Sequence, residues 1–293
     1  MTQNGVLDVF EQERSRLTAL AYRMLGERAA AEDIVQDAWL KWHGAQHSEI
    51  ETPAAWLTTV TTRLAIDALR SARVRRETYV GPWLPEALVE NEAQGETALA
   101  ALERRDGVNL ALLWAMERLA PEERAAYLLH DVFDTDYGDI AATLDKTEDA
   151  CRQLVSRARK RVQQDSPRFD VSPEEVSDLL ERFMTATVSL DKSEILSLLS
   201  PDAVAISDGG GQASAALRAL IGADEIAQVW LAVAARRDGG DQPKWIVANG
   251  LPALAILGQG ESDMIVTVMP GTDGRIGWIY ILRNPQKLAV AGA

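Results

Sequence analysis

YGDIAATLDKTEDACRQLVSRARKRV, residues 137–162, decides how the middle of this chain folds. A short apolar-periodic segment runs to a turn at Leu144-Asp145-Lys146, and a longer basic segment begins at Thr147. Thr147 offers a capping hydroxyl, and Glu148 and Asp149 put negative charge in the first turn, where the helix dipole is positive. Ala150, Leu154, Ala158 and Val162 share a face that can pack against a body. Arg152, Gln153, Ser156, Arg157 and Lys160 recur at three- and four-residue spacing on another face. Cys151 is expected inside. A short helix, a tight turn and a basic second helix form the helix-turn-helix pattern. Any helical hairpin shares part of that pattern, and the basic face is what makes it more specific here.

Upstream, NLALLWAMERLAPEERAAYLLHDVF reads as two helices meeting near Pro121. Residues 7–77 read as helical throughout. AAAEDIVQDAWLKWHG spaces Ile34, Val35, Ala38, Trp39 and Trp42 for one face and carries Glu32, Asp33, Gln36, Asp37 and Lys41 on the other. Thr52-Pro53 starts a further helix, with threonine as cap and proline in the first turn. Its Leu57, Val60, Leu64 and Leu69 are expected to face a core.

Charge sorts these helices from the rest. The chain has 293 residues, 47% apolar, and a formal net charge of −14. Yet 63–76 holds five arginines against Asp67, and 147–162 holds five basic residues against Glu148 and Asp149. Nucleic-acid affinity depends on where cations touch phosphates, so two basic stripes on an acidic body point to two DNA contacts. A solvated helix face is the plainer reading of either stripe alone. No long apolar run and no secretion signal are seen, and one cysteine cannot form an internal disulfide, so a cytoplasmic protein with no membrane partner is expected.

Residues 78–108, with GPWLPEALVENEAQGE, read as an extended linker followed by a short helix. Residues 170–293 have another texture. They carry 16 acids and 9 bases, two leading helices, a short strand AVAISDGGG and a helix GADEIAQVWLAVAARR. Three strand-like runs follow: KWIVANG with PALAILG, MIVTVMP, and IGWIYILRNP. Asp273-Gly274 is a hairpin turn. This is a separate α+β domain of about 120 residues.

On these residues the chain resembles the extracytoplasmic-function sigma factors, promoter-recognition subunits of bacterial RNA polymerase. EDIVQDAWLKW resembles the family's core-binding helix, AAWLTTVTTRLAIDALRSARVRRE the helix that reads the −10 element, and 109–162 the domain that reads the −35 element. ETYVGPWLPEAL, SDGGG at 207–211 and NPQKL at 284–288 resemble the subgroup with a fused, cone-shaped SnoaL-like domain. Asp145 stands where glycine is usual, Ala87 where proline is common, and Gln212 where a basic residue is usual.

The resemblance implies two all-α sigma domains, at 1–77 and 109–165, the linker at 78–108, and a regulatory α+β SnoaL-like domain at 170–293. It implies RNA polymerase core enzyme and promoter DNA as partners. Asp33, Gln36 and Asp37 are candidates for core binding. Trp56, Arg63, Arg70 and Arg73 are candidates for gripping an unpaired strand, by stacking and phosphate contact; a core position is the other reading of Trp56. In the second helix of the turn motif, Thr147, Arg152, Gln153, Ser156, Arg157 and Lys160 are DNA-binding candidates. Arg152 and Arg157 are placed to read guanine edges, and Lys160 to touch phosphate or solvent.

Regulation in cis is expected, with no separate anti-sigma factor required. Its candidate contacts are Trp83, Leu84, Pro85 and Glu86 of the linker, Asp208, Gly209, Gly210 and Gly211 of the glycine loop, and Asn284, Pro285, Lys287 and Leu288 of the tail. A simple turn is the plainer reading of the glycine loop. No cofactor or metal is expected, nor catalysis: His43, His47 and His130 all lie outside the last domain, which leaves Asp208 as the remaining proton-transfer group. Two other functions stay open at this stage. One is a small-molecule sensor or enzyme, with a ligand in the cone, tethered to a DNA-binding module. The other is a helix-turn-helix repressor that acts without polymerase.

Overall fold

The computed structural model describes residues 3–90, 108–163, 171–236, 242–257 and 262–288. They divide into two compact units. The helical unit comprises 3–77 and 112–163; the sheet unit comprises 78–90, 108–111, 171–236, 242–257 and 262–288. Among the described residues, no helix is long and apolar enough to cross a membrane.

The helical unit begins with α1 (Gln3–Leu25), α2 (Arg28–His43) and α3 (Pro53–Arg76). Gly26, at φ 72°, closes α1 through a bond from its N–H to Tyr22 O, a conformation glycine adopts without penalty. In α2 the buried residues are Ala31, Ile34, Val35, Ala38 and Trp42, while Trp39 is half-buried. In α3 the expected stripe is displaced. Leu57 and Leu69 are buried, but Val60 and Leu64 are half-buried, and Thr61, Thr62, Ala65 and Ile66 take the interior. Small residues let α3 approach α1 and α2 closely, so bulk alone misassigned that face.

Then come α4 (Leu110–Met116), α5 (Pro121–Tyr127), α6 (Tyr137–Leu144) and α7 (Glu148–Gln163). A π turn, Leu128–Val132, extends α5. Asp136 caps α6 by accepting from Asp139 N at 2.9 Å, and Asp145 ends it in the left-handed conformation at φ 53°. Thr147 Oγ1 accepts from Ala150 N at 3.2 Å at the start of α7. Cys151, Leu154, Val155, Ala158 and Val162 are the buried face of α7, whereas Ala150 is only half-buried.

The sheet unit holds β1 (Val89–Glu90), α8 (Pro173–Val188), α9 (Lys192–Leu198), β2 (Leu199–Asp208), β3 (Leu220–Ile221), α10 (Ala223–Ala234), β4 (Gln242–Ala248), β5 (Leu251–Leu257), β6 (Ser262–Pro270), β7 (Ile276–Leu282) and α11 (Pro285–Leu288). The strands form one sheet in the order β1-β4-β5-β6-β7-β2-β3. All neighbours are antiparallel except β2 and β7, which are parallel with Ser207 opposite Ile281 and Asp208 opposite Leu282. Ser172 and Asp191 cap α8 and α9. Asp273-Gly274 turns β6 into β7, where Gly271 N donates to Arg275 O at 2.7 Å. This is the α+β cone.

Four expectations need correction. The strand read as AVAISDGGG starts earlier, at Leu199, and ends at Asp208; the glycines form the turn beyond it. KWIVANG with PALAILG is two strands, joined at Asn249-Gly250 with φ 49° and 75°, a tight turn that reverses the chain. Two linker residues, Val89 and Glu90, add a strand to the edge of the sheet by pairing with Ala248 and Val247. The run IGWIYILRNP stops being a strand at Leu282, and Pro285 opens α11. The short helix expected after the linker lies outside the described residues.

Candidate functional site

On α7 the side chains of Arg152, Gln153, Ser156, Arg157 and Lys160 are all exposed on one side of the helix. Their arginines are balanced by local acids. Arg152 donates to Glu148 at 2.7 Å and Asp149 at 2.9 Å, and its guanidinium lies 5.0 Å from the Tyr137 ring centroid. Arg157 Nε donates to Glu123 Oε1 at 3.1 Å. Arg159 pairs with Asp131, and Arg161 with Glu123. The Arg152 pairs are exposed on both sides, and pairs of that kind are worth about 0–1 kcal/mol and exchange readily for another anion, whereas Glu123 is buried and Asp131 mostly so. Burial pushes the Cys151 thiol above its usual range, which suits a packed cysteine rather than a reactive one.

Arg63, Arg70, Arg73 and Arg76 of α3 are engaged within the helical unit. Arg63 donates from Nε to Thr143 O at 2.8 Å and from Nη2 to Ala142 O at 3.0 Å. Those carbonyls close the last turn of α6, where a cation meets the negative end of the dipole. Beside them, the Thr59 and Thr143 hydroxyls are 2.9 Å apart. Arg70 bridges Asp67 and Glu122, and Arg73 Nη2 donates to Glu117 O and Leu119 O. Arg76 pairs with Glu117 and donates to Leu25 O; desolvation by burial lowers its pKa despite that partner. Trp56 is half-buried, its ring 5.5 Å from that of Trp42.

On α2, Asp33, Gln36 and Asp37 are exposed together. Leu40 continues the same row and is 61% exposed. Helical spacing marks apolar positions that turn inward and gives no signal for an exposed leucine in a charged row.

The sheet unit brings the linker, the glycine loop and the tail to one point. Asp208, wholly buried at the end of β2, accepts from Tyr79 Oη at 2.5 Å, Leu84 N at 2.9 Å, Gly210 N at 3.0 Å and Lys287 Nζ at 2.7 Å. Lys287 also donates to Leu84 O, and its ammonium lies 4.2 Å from the Trp83 ring centroid and 5.5 Å from that of Tyr79. Asn284 Nδ2 donates to Tyr79 Oη at 2.9 Å, and Asn284 Oδ1 accepts from Gln286 N at 3.0 Å. A Cβ on Gly210 would meet Asn284 Nδ2 at 2.4 Å, and one on Gly211 would meet Val80 at 3.1 Å. Leu84, Pro85, Glu86 and Leu288 are buried, while Pro285 is exposed at the start of α11. Further along, Leu88 N donates to Asn249 Oδ1 at 3.1 Å. We call this arrangement the linker clasp. Tyr79 and Asn249 belong to it and are not among the sequence candidates; Tyr79 stands inside the quoted phrase ETYVGPWLPEAL, four residues before Trp83, and that proximity is its sequence signal.

Comparison with known proteins adds the following. A family model of Sigma-70 region 2 matches residues 9–75, and one of Sigma-70, region 4 matches 109–162. The ECF RNA polymerase sigma factor SigJ of Mycobacterium tuberculosis is 38% identical over 266 residues, covering 90% of this chain and 82% of that protein. The probable ECF RNA polymerase sigma factor SigI of the same species is 32% identical over 196 residues, 64% of each chain. The crystal structure of M. tuberculosis SigJ superposes with a TM-score of 0.77 at 32% identity, covering 97% of this chain and 99% of that one.

Proposed function

From the fact that this chain belongs to the extracytoplasmic-function RNA polymerase sigma factors, we propose that it directs promoter-specific initiation in the cytoplasm under the control of its own C-terminal domain. Core polymerase is held by the exposed row Asp33, Gln36 and Asp37, with Leu40 supplying an apolar contact among the charges. The −10 strand is held by Trp56 and by Arg63, Arg70 and Arg73, once these arginines exchange their carbonyl and carboxylate partners for phosphates. The −35 element is read by α7, with Arg152 and Arg157 toward bases and Gln153, Ser156 and Lys160 beside them. Thr147 sets the start of that helix. None of these steps breaks a covalent bond, so no catalytic residue, cofactor or metal has a role.

The observation that carries the regulatory part is the clasp. The segment between the two DNA-reading regions is gripped by the C-terminal domain through a buried ion pair, Asp208–Lys287, and through Tyr79, Trp83, Leu84 and Asn284. A tethered regulator acts at an effective concentration of about millimolar, so weak contacts suffice. No separate anti-sigma factor is required.

Run-off transcription with purified core polymerase tests the sigma assignment. The chain is expected to confer initiation at its own promoters on core enzyme that is inactive there alone. Tight binding to promoter duplex with no initiation would make it a repressor instead.

A further inference from the structure

Between the inner face of the sheet and helices α8 and α10 lies a cavity of about 570 Å³, within the range of about 300–1,000 Å³ typical of small-molecule sites. Its walls are overwhelmingly apolar, with Met184, Ile226, Ile256, Met264 and Ile281 among them. The buried or half-buried hydroxyls and the indole in the wall are already paired, and Ser214 is exposed. Thr187 Oγ1 donates to Phe183 O at 2.7 Å and accepts from Trp230 Nε1 at 2.8 Å, and Ser207 Oγ accepts from Ala216 N at 2.9 Å. The ionisable group in the described lining is Arg283, half-buried, with Nη1 2.6 Å from Ser214 O. Aliphatic side chains stand exposed around the same space: Val188 at 84%, Leu190 at 51% and Val233 at 41%. Exposed apolar side chains gathered at one opening mark a place that something apolar covers.

We propose that this cavity binds a small apolar molecule bearing a single anionic group, such as a medium-chain or aromatic carboxylate, and that its occupancy is transmitted to the linker clasp. The charge follows from the lining, which among the described residues offers a guanidinium and no carboxylate, so an anion is favoured over a cation. The rest of the ligand is apolar because the wall is mostly apolar and the Thr187 and Ser207 hydroxyls and the Trp230 indole already have partners.

Transmission follows from shared parts. Successive residues of a strand point to opposite faces, so on β2 Ala205 and Ser207 line the cavity while Asp208 faces the clasp. Arg283 lies at the cavity and Asn284 in the clasp, and Arg283 N donates to Asp208 O at 2.7 Å. The loop between β2 and β3 does the same. Gly210 and Gly211 sit against Asn284 and Val80, while Ser214, Ala215 and Ala216 line the cavity. Bonds from Gln212 N and Ala213 N to Gly209 O make this loop a short stiff piece. A ligand pressing on one side of it must move the other. This inference deepens the proposed regulation in cis and rests on it for its consequence, while the binding itself stands alone.

The test uses purified full-length chain and two fluorescent probes of similar shape, anionic 8-anilino-1-naphthalenesulfonate and uncharged N-phenyl-1-naphthylamine. Both are expected to bind saturably, the sulfonate more tightly. Arg283→Gln is expected to weaken the sulfonate about tenfold, the effect of losing one charge-assisted bond, while leaving the neutral probe nearly unchanged. Ala234→Trp, at a half-buried wall position of α10, is expected to abolish binding of both with the melting temperature retained; Val233→Trp takes its place if that variant melts early. Decanoate should displace the sulfonate and decylamine should not. At saturating decanoate, hydrogen exchange of residues 79–88 should change. Absence of saturable binding, full binding in a folded tryptophan variant, equal affinity for the two probes, displacement by decylamine, or unchanged exchange at saturation would each overturn the proposal. None of these readouts involves polymerase, so their failure is separable from failure of the sigma assignment.

Discussion

Lys287 Nζ lies 2.7 Å from Asp208 Oδ2, with the Lys287 side chain 10% exposed and Asp208 wholly buried. Removing one member of a buried pair strands the other charge, at a cost of about 3–5 kcal/mol. Lys287→Met is therefore expected to destabilise the sheet unit by about that amount in urea unfolding. Adding Asp208→Asn should recover part of the loss. Additive effects in the double-variant cycle would show that the two groups do not interact.

The glycine loop gives a second prediction. Gly210 has φ 59°, and an added Cβ would overlap Asn284. Backbone strain costs about 1–3 kcal/mol, and the overlap pushes Asn284 from Tyr79. Gly210→Ala is expected to raise run-off transcription by loosening the clasp and to speed hydrogen exchange of residues 79–88. Gly274→Ala is the control: it also has positive φ, at 75°, but nothing lies within 4 Å of the added carbon. It should cost stability without changing transcription.

Thr59 and Thr143 give a third. Their hydroxyls are 2.9 Å apart, beside the Arg63 bonds to α6. Cysteines at both positions, in a Cys151→Ala background, should form a disulfide under mild oxidation. If α3 must leave α6 to hold DNA, the oxidised form should fail to support initiation and reduction should restore it. Full activity of the oxidised form would mean that Arg63 need not be released.

What the sequence disclosed and what it hid divide along one physical line. The helix-turn-helix was legible because each signal is local: Asp145 takes the left-handed turn, Thr147 caps, and the buried and basic faces of α7 follow the helical period. The two-residue strand Val89–Glu90 carries no local signal, since its partner lies almost 160 residues away in β4. The bonds from Arg63 to Ala142 O and Thr143 O are equally invisible, because any carbonyl reads the same in sequence. Asp208 reads in sequence as one candidate contact of the glycine loop; its four partners from three separate segments are visible only in the fold.

The recognition helix carries a fourth prediction. Arg157→Ala should lower initiation at the cognate promoter by about 1–3 kcal/mol in −35 readout and relax preference at one base position. Lys160→Ala should weaken binding evenly across sequences and reduce the salt slope by about one. Loss of the same size and the same indifference to sequence in both would remove the distinction between base and phosphate contacts.

Control by the fused domain is the central claim, and run-off transcription from three forms with the same core enzyme and promoter tests it most directly: full length, truncated before Asn284, and truncated near Asp170. The tail-less form loses Asn284 and Lys287 and so opens the clasp, and its transcription should exceed that of the full chain. The domain-less form loses the support of the linker altogether, and its transcription should fall below it. Equal transcription from all three would contradict the account.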